Sequence, residues 1–147
     1  MEKLSHNFHM KLQEMCDCYM DTDFLAEVKR PIDIQSATLE VEAIRYFALL
    51  ILYTLTVKAQ QLTVKKQRGT LKVTVDALQE KKILPPPPEE IVDKIFEIIR
   101  AITHIEKDNG EMALALGLRS GQVDLQVKVK KKKDEETMQL LFPELGG

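Results

Sequence analysis

Twelve consecutive residues, Tyr46 to Val57 (YFALLILYTLTV), form an unbroken apolar run softened only by Thr54 and Thr56 and bracketed by Arg45 and Lys58. A helix that is apolar on every side has to be enclosed, by its own domain or by another subunit. At ~1.5 Å per residue the run spans about 18 Å, short of the ~20 residues that cross a bilayer. It therefore reads as the central helix of a soluble helical protein with no membrane span.

Flanking signals extend this helix. Ser36 suits its N-cap, Glu40 and Glu42 sit near its positive end, and Lys65, Lys66 and Arg68 precede a stop at Gly69. A helix between those limits has ~33 residues and a length of about 50 Å, more than a domain of this size is wide. It either breaks near Thr63-Val64 or projects to meet a partner.

Other helices follow from periodicity. Leu4, Phe8, Leu12, Met15 and Tyr19 recur at helical spacing over residues 2–20. Asp21-Thr22-Asp23 offers capping residues to a short helix carrying Phe24, Leu25 and Val28, which Pro31 stops. Ile32 and Ile34 then anchor an extended connector. Residues 70–84 carry two signals: Leu71, Val73 and Val75 alternate like a strand, while Val75, Leu78 and Lys82 fit a helix near 74–82, the favoured reading. Pro85 to Pro88 form a stiff turn. Beyond it Ile91, Ile95, Ile98, Ile102 and Ile105 draw an a/d stripe, with Pro88 at the first helical position and Asn109-Gly110 as the stop.

After Gly110 the period falls to two. Met112, Leu114, Leu116 and Leu118 mirror Val123, Leu125, Val127 and Val129 about Ser120-Gly121. That predicts a β-hairpin over 112–130, with Leu118 facing Val123 and every large apolar residue on one face. The expected fold is thus mainly α: a bundle of three to five helices, one long and apolar, with a C-terminal two-stranded hairpin, α+β by strict count. One domain covers 1–147, divided into a helical segment over 1–110, the hairpin 111–130 and a charged and apolar tail 131–147.

The chemistry-bearing residues are few. His6, His9, Cys16 and Cys18 are the soft-ligand candidates, but Cys16 and Cys18 diverge on a helix and a zinc site needs four convergent ligands. No metal and no cofactor is expected. Arg100 and His104 lie one turn apart and together supply the elements of a ribonuclease, a phosphate-holding cation and a general acid–base. Their spacing does not match helical ribonucleases, and no enzyme is expected. The two cysteines cannot bridge each other without strain at this spacing, and Met1 begins no secretory signal, which points to a reducing cytoplasm.

Charge is segregated. Residues 58–82 hold seven bases against two acids, and residues 88–111 hold seven acids against three bases. The net charge of −2 gives no global pull toward nucleic acid. These features point to a non-enzymatic assembly or adaptor protein acting through helix-mediated oligomerisation, a dimer first, or through binding a protein partner. Phe47, Leu50, Ile51, Ile95, Ile98 and Ile102 are its interaction candidates. The alternative is a nucleic-acid-associated accessory subunit that uses the basic segment 58–72, with Lys65, Lys66 and Arg68 as phosphate contacts and the Lys128–Lys133 run nearby.

Overall fold

The computed structural model describes residues 2–20, 22–29, 39–78, 80–118 and 121–143, with side chains over these spans except at 2–7, 25, 28 and 29. The elements run α1 (Glu2–Cys18), α2 (Phe24–Lys29), α3 (Leu39–Thr56), β1 (Gln61–Gln67), β2 (Thr70–Asp76), β3 (Lys81–Leu84), α4 (Glu89–Thr103), β4 (Gly110–Leu118), β5 (Gly121–Lys132) and β6 (Glu135–Leu141). This is an α+β fold, not a helical bundle with a two-stranded hairpin. One six-stranded antiparallel sheet has the order β3-β2-β1-β6-β5-β4. It consists of two three-stranded meanders joined along β1 and β6.

The apolar run is enclosed as its composition requires. Every residue from Ala43 to Thr54 is buried, because α3 is touched by α1, α2, α4 and β1. Its end corrects the expected stop at Gly69. The Ala59 amide donates to the Thr54 carbonyl (3.0 Å) and the Lys58 amide to that of Leu55 (3.1 Å), with Lys58 at φ 57°. That pattern is a Schellman cap with a non-glycine residue in the left-handed position. The helix stops at Thr56, among the β-branched residues Thr54, Thr56 and Val57, and neither breaks at Thr63-Val64 nor projects.

The residues read as its last turns form β1 instead. Leu62 and Val64 pair with Val75 and Val73 across a two-residue link, Arg68-Gly69, whose φ angles are 49° and 82°. Positive φ at both central residues is what a tight hairpin of right-handed twist needs. Gly69 is thus the tip of a hairpin and not a helix cap. The helix favoured at 74–82 is likewise absent: strand β2 runs to Asp76 and β3 begins at Lys81.

Helix α4 carries the isoleucine stripe inward, with Ile91, Ile95, Ile98 and Ile102 buried. Pro88 is its N-cap, its carbonyl accepting from the amides of Ile91 (3.0 Å) and Val92 (3.2 Å). The helix closes at His104, left-handed at φ 61°, five residues before the expected Asn109-Gly110. The proline run before it is pinned: the buried Tyr46 hydroxyl donates to the Pro85 carbonyl at 2.8 Å.

The predicted hairpin exists, with its register displaced by two residues. Leu118 pairs with Gly121, Leu116 with Val123 and Leu114 with Leu125. A shift of two preserves the face of every side chain, so Leu114, Leu116, Leu118, Leu125, Val127 and Val129 are still buried, whereas Met112 at the end of the set is exposed. Within the segment 131–147 read as a tail, residues 131–132 complete β5 and Glu135–Leu141 form β6, which lies in the middle of the sheet between β1 and β5. Met138 and Leu140 from β6 are buried alongside Val64 and Leu62. The connector at Ile32 and Ile34, the Ser36 cap and Ser120 lie outside the described residues.

At the N-terminal side, Asp23 caps α2 through a 3.2 Å bond from the Ala26 amide to its Oδ1. Arg45, only 3% exposed, contacts Glu42 at 3.1 Å and Glu27 of α2 at 3.6 Å, tying the short helix to α3.

Candidate anion-binding face

Strand alternation decides where each lysine goes. Leu62, Val64, Val73, Val75, Met138, Leu140, Val127 and Val129 fill the buried face of the sheet. Their neighbours along the same strands must then face the other way. No helix covers that side among the described residues: the helix-to-strand contacts come from α1, α3 and α4 on the buried side.

In register, Lys72 pairs with Lys65, Lys65 with Thr137, and Thr137 with Lys130, a single row across four strands. The flanking rows are Thr74–Thr63–Gln139–Lys128 and Thr70–Gln67–Glu135–Lys132. With strands ~4.8 Å apart, Lys65 and Lys130 stand about 10 Å from each other, while Lys128, Lys130 and Lys132 step along β5 at ~6.6 Å. Between them lies a depression of about 280 Å³ lined by Thr63, Lys65, Lys128, Lys130, Lys132, Glu135, Thr137 and Gln139.

Few acids oppose these cations. Among the described residues only Lys65 of the five is ion-paired, to Glu135 at 3.8 Å, and the Glu135 carboxylate also accepts from the Thr137 hydroxyl at 3.4 Å. Glu111 stands on β4 in register with Lys128, and its carboxylate accepts from the Gln126 amide at 2.8 Å. Asp76 and Asp124 lie farther from the turns on the same face, where the Asp124 carboxylate accepts from Gln122 at 2.7 Å. The open surface is therefore polarised, basic toward the β1–β2 and β5–β6 turns and acidic away from them.

The three expected phosphate contacts separate. Lys65 lies on the open face. Lys66, its neighbour, points to the helix side, where it meets Asp93 at 2.7 Å and Glu89 at 3.1 Å. The Asp93 hydrogen bond, aided by Glu89 and only partly offset by burial, raises the Lys66 pKa. Arg68 sits at the hairpin tip, largely exposed, 3.9 Å from Asp134. Lys128, Lys130 and Lys132, from the run noted as lying near the basic segment, take the places beside Lys65. A strand reading of 61–67 and 121–132 finds this set; a helical reading of 58–69 groups the wrong lysines.

The remaining candidates have structural employment. Arg100 donates to the carbonyls of Lys107 (2.6 Å), Asp108 (2.8 Å) and Ile105 (3.4 Å) and lies 3.7 Å from Glu136. Its guanidinium thus holds the loop after α4, and His104 is that helix's exposed cap. A second cleft of about 590 Å³ lies beside Arg100; three ion pairs line it, Lys66 with Asp93, Arg68 with Asp134 and Arg100 with Glu136, together with Lys131, Lys132 and Lys133. His9 bonds the Ala115 carbonyl through Nε2 at 2.9 Å. Cys16 is buried, and burial pushes its thiol up to about 12, with Asp17 adding to the shift. No cluster of three or more potential metal ligands occurs among the described residues. Phe47, Leu50, Ile51, Ile95, Ile98 and Ile102 are all buried within the single chain. No helix among the described residues is long and apolar enough to cross a membrane.

No family model and no curated protein matches the chain.

Proposed function

We propose that the chain is a non-enzymatic adaptor protein that works by partner binding, with the open face of its sheet as the binding surface and a polyanion as the partner. The observation that supports this is the gathering of Lys65, Lys72, Lys128, Lys130 and Lys132 from two separate hairpins onto one uncovered face, four of them without an ion pair among the described residues. Lysines set side by side repel one another, and a polyanion relieves that repulsion while releasing its own counterions.

Self-association through helices has three motives in the sequence: the all-apolar helix, the isoleucine stripe and the apolar face of the hairpin. Apart from Met112 at the end of the hairpin, all three surfaces are covered inside one chain. The reading therefore rests on partner binding through the sheet and not on a helix-mediated dimer.

Retention on a sulfated-polysaccharide matrix at about 50 mM salt tests it, since such binding weakens steeply with salt. The wild type is expected to be retained and the triple variant K65Q/K130Q/K132Q to elute near the void. A charge-matched control, K11Q/K94Q/K107Q, is expected to elute with the wild type. No retention of the wild type, or equal loss in the control, overturns the reading.

A further inference from the structure

We infer that the occupant of the open face is a nucleic-acid duplex, held through its phosphodiester backbones without reading of its bases. The inference rests on the open face being the binding surface and names what that surface holds.

Three features of the face separate this occupant from other polyanions. It carries no aromatic side chain among the described residues, and its one well-exposed large apolar residue, Ile83, stands on the edge strand β3. Protein partners are anchored by buried aromatic and apolar side chains, which this surface does not supply. Single strands gain much of their affinity by stacking unpaired bases on aromatic rings, equally missing here. A duplex keeps its bases stacked on each other and offers only phosphates, so it loses nothing on a surface without rings.

The cations also form two lines. Lys128, Lys130 and Lys132 run along β5; Lys65 and Lys72 stand on β1 and β2, across β6. At ~4.8 Å per strand the second line lies about 10–14 Å from the first. That is comparable with the ~12 Å width of a major groove, so two backbones flanking one groove can each meet a line. A single strand has only one backbone to offer. Gln139 stands between the lines on β6, and Thr63 stands beside Lys65 on β1; their amide and hydroxyl are donors of the kind that phosphate oxygens accept.

Fluorescence anisotropy with labelled oligomers of about 20 nucleotides tests this, using duplex DNA, duplex RNA, the corresponding single strands and polyglutamate as probes. The duplexes are expected to bind about tenfold more tightly than the single strands or polyglutamate, with little dependence on sequence. The DNA and RNA arms identify which duplex is preferred. In K65Q/K72Q the slope of log affinity against log salt is expected to flatten by about two, and in K128Q/K130Q/K132Q by about three, at slightly under one per lost phosphate contact. Thermal melting of each variant separates lost contacts from lost fold. Single strands or polyglutamate binding as tightly as duplex overturns the duplex and leaves the open face standing as a polyanion surface. Duplex binding that survives both sets of lysine substitutions in folded protein, or no binding to any probe, overturns the duplex and the open face together.

Discussion

Gln13 Oε1 accepts a 2.7 Å hydrogen bond from the backbone amide of Gly117, and two residues earlier on the same strand the Ala115 carbonyl is bonded by His9. Strand β4 is an edge of the sheet, and these are backbone groups that β5 does not take up. An unpaired strand edge is a template for pairing with another chain, and covering it with a helix is one of the ways proteins blunt it. Helix α1 does so here with polar side chains. The other edge, β3, is only four residues long and runs directly into Pro85. Neither edge invites sheet extension, which leaves the open face as the accessible region of the sheet.

The double variant H9A/Q13A is expected to lose about 1–3 kcal/mol of stability in urea denaturation, from two hydrogen bonds at a net ~0.5–1.5 kcal/mol each. Light scattering should also show association that rises with concentration and is smaller in the wild type. Unchanged stability and unchanged dispersity would mean that the β4 edge needs no cover.

Arg45 is buried between Glu27 and Glu42. R45M removes the cation and leaves two partly buried carboxylates facing the apolar surface of α3. A loss of about 3 kcal/mol is expected, in the range for breaking a buried pair from one side. R45M/E42Q should recover some of that loss, because one stranded charge is gone. A melting temperature within a degree of wild type for R45M would show that α2 docks without the pair.

Lys58, Arg68 and His104 all adopt positive φ without being glycine. Each is exposed, so K58G and H104G are expected to stabilise the fold by about 0.5–1 kcal/mol at the two helix ends. R68N should act in the same direction, since Asn-Gly is a favoured pair for this turn and the exposed Arg68–Asp134 contact contributes little. The converse change, G69A or G121V, is expected to cost about 1 kcal/mol or more at φ values of 82° and 129°, where a new Cβ has open space but an unfavourable backbone. Chemical denaturation of the five single variants checks all the signs at once.

Alkaline pH should weaken the fold. Burial raises the Cys16 thiol to about 12 and raises the Tyr46 phenol, and the Lys66 ammonium is raised through Asp93. In each case the native state holds its proton more firmly than the unfolded chain. That stability is fully present below the unfolded pKa and is lost as pH rises toward the folded one. For Cys16 the window is pH 9 to about 12, with a slope of up to about 1.4 kcal/mol per pH unit. C16A should flatten the decline, and Y46F should flatten it further. Ellman titration of the native protein at pH 8 is expected to label the exposed Cys18 promptly and Cys16 only on unfolding.

The sequence showed helices better than strands, for identifiable reasons. The Tyr46–Val57 run and the isoleucine stripe have one reading each, because length and a 3.6 period agree. Residues 61–67 do not: Leu62 and Val64 continue a helix that has already begun, and three cations before a glycine imitate a helix end. Mirror symmetry about Arg68-Gly69 was available, Leu62 and Val64 against Val75 and Val73, and it is the same signal that revealed the 112–130 hairpin. There the mirror fixed the face but not the turn, because a displacement of two residues leaves the pattern unchanged. Strand β6 was hidden by Leu140, Leu141 and Phe142, three adjacent apolar residues that obscure a period of two. The site inherited these errors. Lys65 and Lys66 are neighbours on a helix end but lie on opposite sides of a strand, so a single change of period decides which of them is free to bind.

The order of the sheet also has a kinetic consequence. Hairpins β1–β2 and β5–β6 close over two-residue turns, whereas the nearest β1–β6 pair, Gln67 with Glu135, joins positions 68 apart. Loop-closure entropy makes that seam costlier to form by about 2–3 kcal/mol than a turn of a few residues. Topology of this kind slows folding and postpones its long-range pairings. Lys65 and Lys130 become neighbours only when the seam has closed, so neither half of the sheet carries the two-line array by itself. A ligand that touches both lines acts as a clamp across a join that is costly to close. Its occupancy should be recorded in slower amide exchange along β1 and β6, far more than in the helices behind them.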